Sequence, residues 1–313
     1  MDIQSKIILI SGPTASGKSN FAIKIAKKID GEIINADSMQ VYKQLQILTA
    51  RPNKKEQKNI KHHLYGVIDL NKNFSTGQWL KSAIKCIKDI QQRKKIPILV
   101  GGTGLYFQSL INGLVKIPNI PLGTRKKVRL LQKKIGQNNF YKRLLMLDKK
   151  VKGKFDPNDA QRSIRAFEIK LKTKVSMYDW LHRTKSVFHE DQFLKLYINF
   201  DRQELIRKIT LRVSKMLEVG AIKEIKRFNK NKINRDSSVN KVIGVIELKQ
   251  YLKNEINLEQ AKELIAIRTR QYAKRQATWA RSRMINWNKI KPREISNWVK
   301  KINKSSLKLD QLI

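Results

Sequence analysis

The stretch LISGPTASGKSN, residues 9 to 20, limits the fold of this chain more tightly than any other. Lys6 to Ser11 reads as an apolar, β-branched strand, and Phe21, Ile25 and Ile29 then recur at helical spacing. Between them Gly12 and Gly17 bracket a short loop that ends in Lys18 and Ser19. Strand, glycine loop and helix in this order are what a phosphate-binding P-loop requires. Backbone N–H groups along Gly12, Pro13, Thr14, Ala15, Ser16 and Gly17 would surround phosphate oxygens, Lys18 would add a point charge, and the Ser19 hydroxyl would ligate Mg²⁺. The pattern implies a diphosphate with Mg²⁺ and leaves its owner open.

Further along, Glu32 to Asn35 and Ile96 to Val100 read as short strands, and Trp79, Leu80, Ala83, Ile84, Ile87 and Ile90 mark a helix over 76–92. Alternating strands and helices predict an α/β fold, a doubly wound parallel sheet of the P-loop NTPase-like kind. Ligands of such sheets sit outside the carboxyl ends of the strands. The turns at 12–19, 37–40 and 101–104 all fall at such ends, so one crevice collects them. After Val115 the texture turns helical and basic, with a helix expected from Arg125 to Ile135. Asp156 and Pro157 are expected to cap the next one. A strand-like run returns at Leu196 to Phe200, and Glu204 to Phe228 and Leu258 to Arg283 read as long helices. The expected division is a core of 1–115 with 196–313 and a mainly helical insertion domain at 116–195.

The chain carries 67 Lys and Arg against 25 Asp and Glu, a formal charge of +42. Such a field favours a polyanion, nucleic acid or an anionic membrane, although codon bias in an Ile- and Asn-rich chain supplies lysines too. One cysteine, Cys86, excludes a disulfide framework and a thiolate zinc cluster. Ile96 to Val115 is uncharged, but its glycines, Pro97, Gln108 and Asn112 make it strand, turn and short helix rather than a membrane span. With no secretory signal, a soluble cytoplasmic protein is expected.

Asp37, at the end of the second strand, is open to three readings: a Mg²⁺ contact through water, a general base, or a helix N-cap. Thr103, between two glycines, either approaches a ligand or caps a helix. Gln161, Arg162 and Arg165 share one helical face suited to phosphates or base edges. In IRTRQYAKRQATWARSR, residues 267 to 283, Arg270, Lys274 and Arg281 form one stripe and Arg268 and Arg275 another, with Tyr272 and Trp279 interleaved, as suits an RNA backbone. The four histidines lack metal-ligand spacing, and His62 and His63 are read as opening a strand toward Val67.

Six motifs in order, GPTASGKS, DSMQVYK, HHL, GGTGLYF, DPNDAQRSIRAFE and AKRQATWAR, resemble the tRNA dimethylallyltransferase (tRNA isopentenyltransferase) family over nearly the whole chain. The resemblance implies transfer of a dimethylallyl group from dimethylallyl diphosphate to N6 of the adenosine immediately 3′ of the anticodon. Gly12 to Ser19 would then bind the diphosphate, with Lys18 among the catalytic groups. Asp37 would serve as general base, and Thr103 would contact the adenosine or the diphosphate. Asp37, Ser38, Met39, Gln40, Arg125, Gln161, Arg162, Ser163, Ile164, Arg165, Lys274, Arg275, Gln276 and Arg281 match positions that contact tRNA. The insertion would grip the anticodon stem-loop of a tRNA held by a monomer without membrane contact. By the same resemblance, the bacterial form, without a zinc-finger extension, is expected. Two departures stand out: Leu48 where the family usually has glycine, and Val245-Ile246 where it offers an aromatic and a basic residue, with Lys241 nearby. A P-loop kinase with a basic surface and a non-catalytic RNA-binding protein are the alternatives.

Overall fold

The computed structural model describes residues 6–115, 117–181, 184–234 and 237–302. Six parallel strands form one sheet in the order β3-β2-β4-β1-β5-β6. They are β1 Ile7–Ser11, β2 Gly31–Asn35, β3 His62–His63, β4 Ile96–Gly101, β5 Phe193–Ile198 and β6 Asn288–Ile290. Successive strand residues point to opposite faces, and here both faces are apolar. Ile8, Ile10, Ile33 and Ile98 pack with Phe21, Ile25 and Ile29 of the helix Lys18–Ile29. Ile7, Leu9, Ile34 and Leu99 pack with Trp79, Ala83, Ile87 and Ile90 of the helix Thr76–Gln92. The sheet is therefore covered on both sides, and its carboxyl edge is left for loops.

The chain divides into two compact units, Met1–Ile111 with Phe188–Ile313, and Asn112–Val187. Phe193 to Lys195 pair with Ile7 to Leu9, so β5 starts before Leu196 and these residues belong with the sheet rather than with the insertion expected at 116–195. Besides the sheet, the first unit holds a second core, in which Val41, Tyr42 and Leu45 meet Ile209, Ile225, Leu248 and Ile265. The helix expected over 204–228 is two, Arg202–Glu218 and Ala221–Asn229, because Gly220 takes a left-handed φ of 111° between them. His62 and His63 pair with Ile33 and Ile34 but the strand stops there, since Leu64 turns at φ 62°.

In the second unit the helix Leu122–Leu147 is broken at Gly136, and Phe140 and Leu144 pack with Phe167 and Ala166 of the helix Ala160–Thr173. The cap of that second helix is Asp159, whose Oδ1 accepts the Arg162 N–H at 2.9 Å, not Asp156. Asp156 instead closes a turn upstream, taking the Asn158 N–H on its carboxylate and the Asp159 N–H on its carbonyl, both at 2.8 Å.

Candidate active site

The glycine loop leaves β1 at the middle of the sheet. Ala15 and Gly17 adopt left-handed φ values of 64° and 81°, which curl the chain before the helix Lys18–Ile29 begins. The first-turn N–H groups of that helix have no partner within it and carry its positive dipole end. A Cβ on Gly12 would stand 2.9 Å from Ser16 Oγ and 3.2 Å from Ile198 Cβ, so only glycine lets the loop start this close to β5. Ser16 Oγ is buried with no hydrogen-bond partner among the described residues, a hydroxyl free to donate to an anion's oxygen. Lys18 Nζ donates to Pro13 O at 3.2 Å, and Arg212 Nη1, from the helix Arg202–Glu218, donates to Thr14 Oγ1 at 2.9 Å. Neither cation forms a salt bridge among the described residues, although the charge of Asp37 acts on both. Burial lowers the Lys18 ammonium to about 8, the negative charge of Asp37 working against the fall and Arg212 with it. Burial also lowers Arg212, again opposed by Asp37.

Two strands away, the turn after β2 is built by Asn35. Its Oδ1 accepts the Asp37 N–H at 2.9 Å, and its Nδ2 donates to Asp37 O at 2.9 Å and Leu64 O at 3.1 Å. Asp37 Oδ1 accepts the Met39 N–H at 2.9 Å in a tight local turn. No helix starts there, which removes the N-cap reading; the next helix, Lys54–Gln57, is capped by Asn53. Asp37 is in no salt bridge among the described residues, yet its charge, after burial, raises the phenols of Tyr65, Tyr106 and Tyr272. The carboxylate's charge is therefore felt by three buried or half-buried tyrosines around the turn.

The turn after β4 joins the other two. Gly101 lies so close to Ala36 that a Cβ would sit 2.0 Å from Ala36 O, and the Thr103 N–H donates to that same oxygen at 3.2 Å. Thr103 Oγ1 accepts the Ser38 N–H at 3.0 Å and donates to Ser38 Oγ at 3.3 Å, so its hydroxyl binds the Asp37 turn instead of capping a helix. Gln276 Oε1 accepts the Thr14 N–H at 2.8 Å while its Nε2 donates to Gly102 O at 3.0 Å. One side chain thus ties the phosphate loop to the β4 turn.

Of the other expected contacts, Lys274, Arg275 and Arg281 are exposed on the helix Leu258–Arg283. Arg275 lies over the Tyr272 ring at 5.8 Å, and Arg281 Nη2 donates to Thr278 Oγ1 at 3.1 Å. Met39 packs against the second core, and Gln40 spends its amide on Thr49 O and Ala50 O, at 2.9 and 3.1 Å. In the second unit Arg125 is half-buried in the first turn of Leu122–Leu147. Gln161 and Arg162 face solvent, while Arg165 is half-buried beside Glu168 at 3.5 Å. Ser163 is fully buried with its hydroxyl against Gln137 Nε2 at 3.0 Å, and Ile164 joins the core, so these two do not share the outward face. Arg212 was not singled out by sequence reasoning. A cavity of about 760 Å³ opens beside Pro13, lined by Leu205, Ile209, Arg270, Lys274 and Arg281.

Leu48 stands against Gly244, where a Cβ would fall 2.6 Å from Leu48 Cδ2, and Glu224 accepts the N–H groups of Gln46, Ile47 and Leu48 at 2.7 to 2.9 Å. A buried carboxylate thus fixes the turn where the family's glycine is missing. Val245 is core, whereas Ile246 is 43% exposed and offers RNA no charge. Among the described residues no helix is long and apolar enough to cross a membrane; Ile96 to Val115 forms β4, a turn and a short helix.

A parallel sheet whose central strand ends in a glycine loop, with cations that form no salt bridge among the described residues at β1 and a carboxylate on the turn after β2, defines a P-loop-type group-transfer enzyme. The chain belongs to the IPP transferase family, whose profile matches residues 40–283. It is 70% identical over 312 residues to the tRNA dimethylallyltransferase of Pelagibacter ubique (strain HTCC1062), covering all of both chains. It is 38% identical over 294 residues to that of Allorhizobium ampelinum, covering 93% of this chain and 97% of the relative. Among solved structures, a eukaryotic dimethylallyltransferase acting on tRNA superposes with a TM-score of 0.81 at 32% identity, over 94% of this chain and 75% of that one. A tRNA isopentenylpyrophosphate transferase from Staphylococcus epidermidis gives 0.67 at 34% identity, over 94% and 96%. These relatives do not favour a kinase.

Proposed function

We propose that the protein transfers the dimethylallyl group of dimethylallyl diphosphate to N6 of the adenosine immediately 3′ of the anticodon in tRNA. The observation that carries this reading is the separation of charge between two strand ends with β4 between them. Lys18 and Arg212 stand at β1 without carboxylate partners, and Asp37 stands beyond β4 without a cation against it.

An adenine amine is a weak nucleophile, because its lone pair is delocalised into the ring. As N6 bonds to the allylic carbon, the carbon–oxygen bond to diphosphate breaks and the N6 proton passes to Asp37. Lys18, Arg212, the loop N–H groups and Ser16 Oγ take up the charge that develops on the leaving diphosphate. Thr103 holds the Asp37 turn through Ser38 and borders the adenosine. Among the described residues no three His, Cys, Asp or Glu side chains group to hold a metal. A divalent ion would rest on the Ser19 hydroxyl, diphosphate oxygens and water, a donor set that suits Mg²⁺. Bound there, Mg²⁺ would neutralise the leaving group. The target base must leave its stack, which costs a few kcal/mol. Contacts from Ser38, Lys274, Arg275 and Arg281, and on the second unit from Arg125, Gln161, Arg162 and Arg165, offset that cost along the anticodon stem-loop. The enzyme acts as a cytoplasmic monomer.

The test is to incubate the protein with Mg²⁺, an unmodified stem-loop and either dimethylallyl diphosphate or ATP, then weigh the RNA. A gain of one dimethylallyl group with the prenyl donor alone is expected. Consumption of ATP without a mass gain would return the loop to a kinase.

A further inference from the structure

We infer that Gln276 is a positioning residue that fixes the distance between donor and acceptor, rather than an RNA contact. This deepens the prenyl-transfer reading and rests on it. The donor's diphosphate lies in the loop after β1, and the adenosine lies near Thr103 and Asp37 on the turns after β4 and β2. The two substrates thus sit on separate loops, which leave the paired strands β1 and β4 at Ser11 and Gly101. The Gln276 carboxamide is the joint between them: its oxygen takes the Thr14 N–H at 2.8 Å and its nitrogen reaches Gly102 O at 3.0 Å. It is braced through Thr14, whose hydroxyl accepts from the Arg212 guanidinium at 2.9 Å.

The neighbouring sequence makes room for it. A Cβ on Gly102 would stand 2.0 Å from Gln276 Nε2, so the glycine is what lets the carboxamide lie against the turn. Both polar ends of Gln276 are occupied by backbone, which leaves few sites for a nucleotide. Asparagine carries the same groups on a stem one methylene shorter and does not span both partners. Thr14 lies early in the loop, so the brace leaves the N–H groups nearest Lys18 free for phosphate.

Displacing reacting atoms by about 1 Å costs on the order of 100-fold in rate. The experiment measures, for the full chain with prenyl donor, Mg²⁺ and stem-loop, the kcat, the KM for dimethylallyl diphosphate, the stem-loop Kd and the melting temperature. Gln276→Asn and Gln276→Ala are expected to lower kcat by roughly 30- to 100-fold, with KM and Kd within about threefold of the parent. Gly102→Ala, which pushes the carboxamide off the turn, is expected to show the same kcat loss. Combined with Gln276→Ala it is expected to add nothing, because the joint is already gone. A stem-loop Kd weakened tenfold with saturated kcat intact would make Gln276 an RNA contact and overturn the inference. So would unchanged kinetics, or additive losses in the double variant. If Gln276→Ala melts early, Gln276→Asn and Gly102→Ala decide alone. A parent protein that adds no dimethylallyl group would instead defeat the functional reading and leave the joint unassigned.

Discussion

The two ends of the parallel sheet treat charge in opposite ways. Toward the amino end, Glu32 at the start of β2 is buried, and its Oε2 meets both His63 Nε2 and Arg93 Nη2 at 2.6 Å. Burial alone would raise its carboxyl, but these partners hold it below the usual carboxylate range. At the carboxyl end, Lys18 and Arg212 are half-buried and, among the described residues, bond neutral oxygens, while Asp37 Oδ1 accepts the Met39 N–H. A buried charge without a counter-charge costs stability. The first arrangement serves the fold, whereas the second keeps its charges for what arrives.

The contrast is broken most severely by removing Asp37. Asp37→Ala is expected to lower kcat by about 100- to 10,000-fold, with stem-loop affinity within a few-fold, measured in single turnover; retained turnover would remove Asp37 as base. Arg212→Leu comes next, with an expected 10- to 100-fold rise in KM for the prenyl donor, the size of a lost charged hydrogen bond. Turnover at saturating donor falls less. At the opposite end, Glu32→Gln is expected to cost about 2 kcal/mol in urea denaturation at neutral pH without altering kcat. Because the native carboxyl titrates below its unfolded value, this stability is present above the unfolded pKa and fades as pH falls through the native one. Parent and variant should therefore converge once the pH falls below the native carboxyl's lowered value. The smallest effect concerns Lys18. Its ammonium titrates at about 8 in the free protein, and diphosphate binds the charged form. Donor affinity should hold below that pH and weaken by up to about tenfold per unit above it. A flat profile would show that Arg212 and the loop N–H groups suffice.

The carboxyl end was largely legible because its turns are written locally: GPTASGKS, the Asp37 turn and GGTG each follow an apolar strand. The helix Leu258–Arg283 was also read to its ends, its apolar spacing being unbroken. What could not be read were bonds between remote segments. Arg212 is one of 67 basic residues and carries no local mark, and it becomes special only because Thr14 lies 198 positions away and beside it. Gln276 drew notice through a motif, but its two partners, Thr14 and Gly102, belong to other loops. Gly220 was a legible signal passed over, since helical spacing on both sides hid the break. Asp156-Pro157 misled for a related reason: Asp159, three positions on, offers the same capping chemistry and sits at the true helix start.

Strand order has a consequence for the birth of the chain. β1 ends up between β4 and β5, and Ile7 finds Phe193 across from it only after the entire second unit, which lies between them in sequence, has left the ribosome. The helix that supplies Gln276 comes later still. A polypeptide released before that helix would carry the glycine loop in its sequence without the elements that hold it, so competence arrives only once the Gln276 helix has been made.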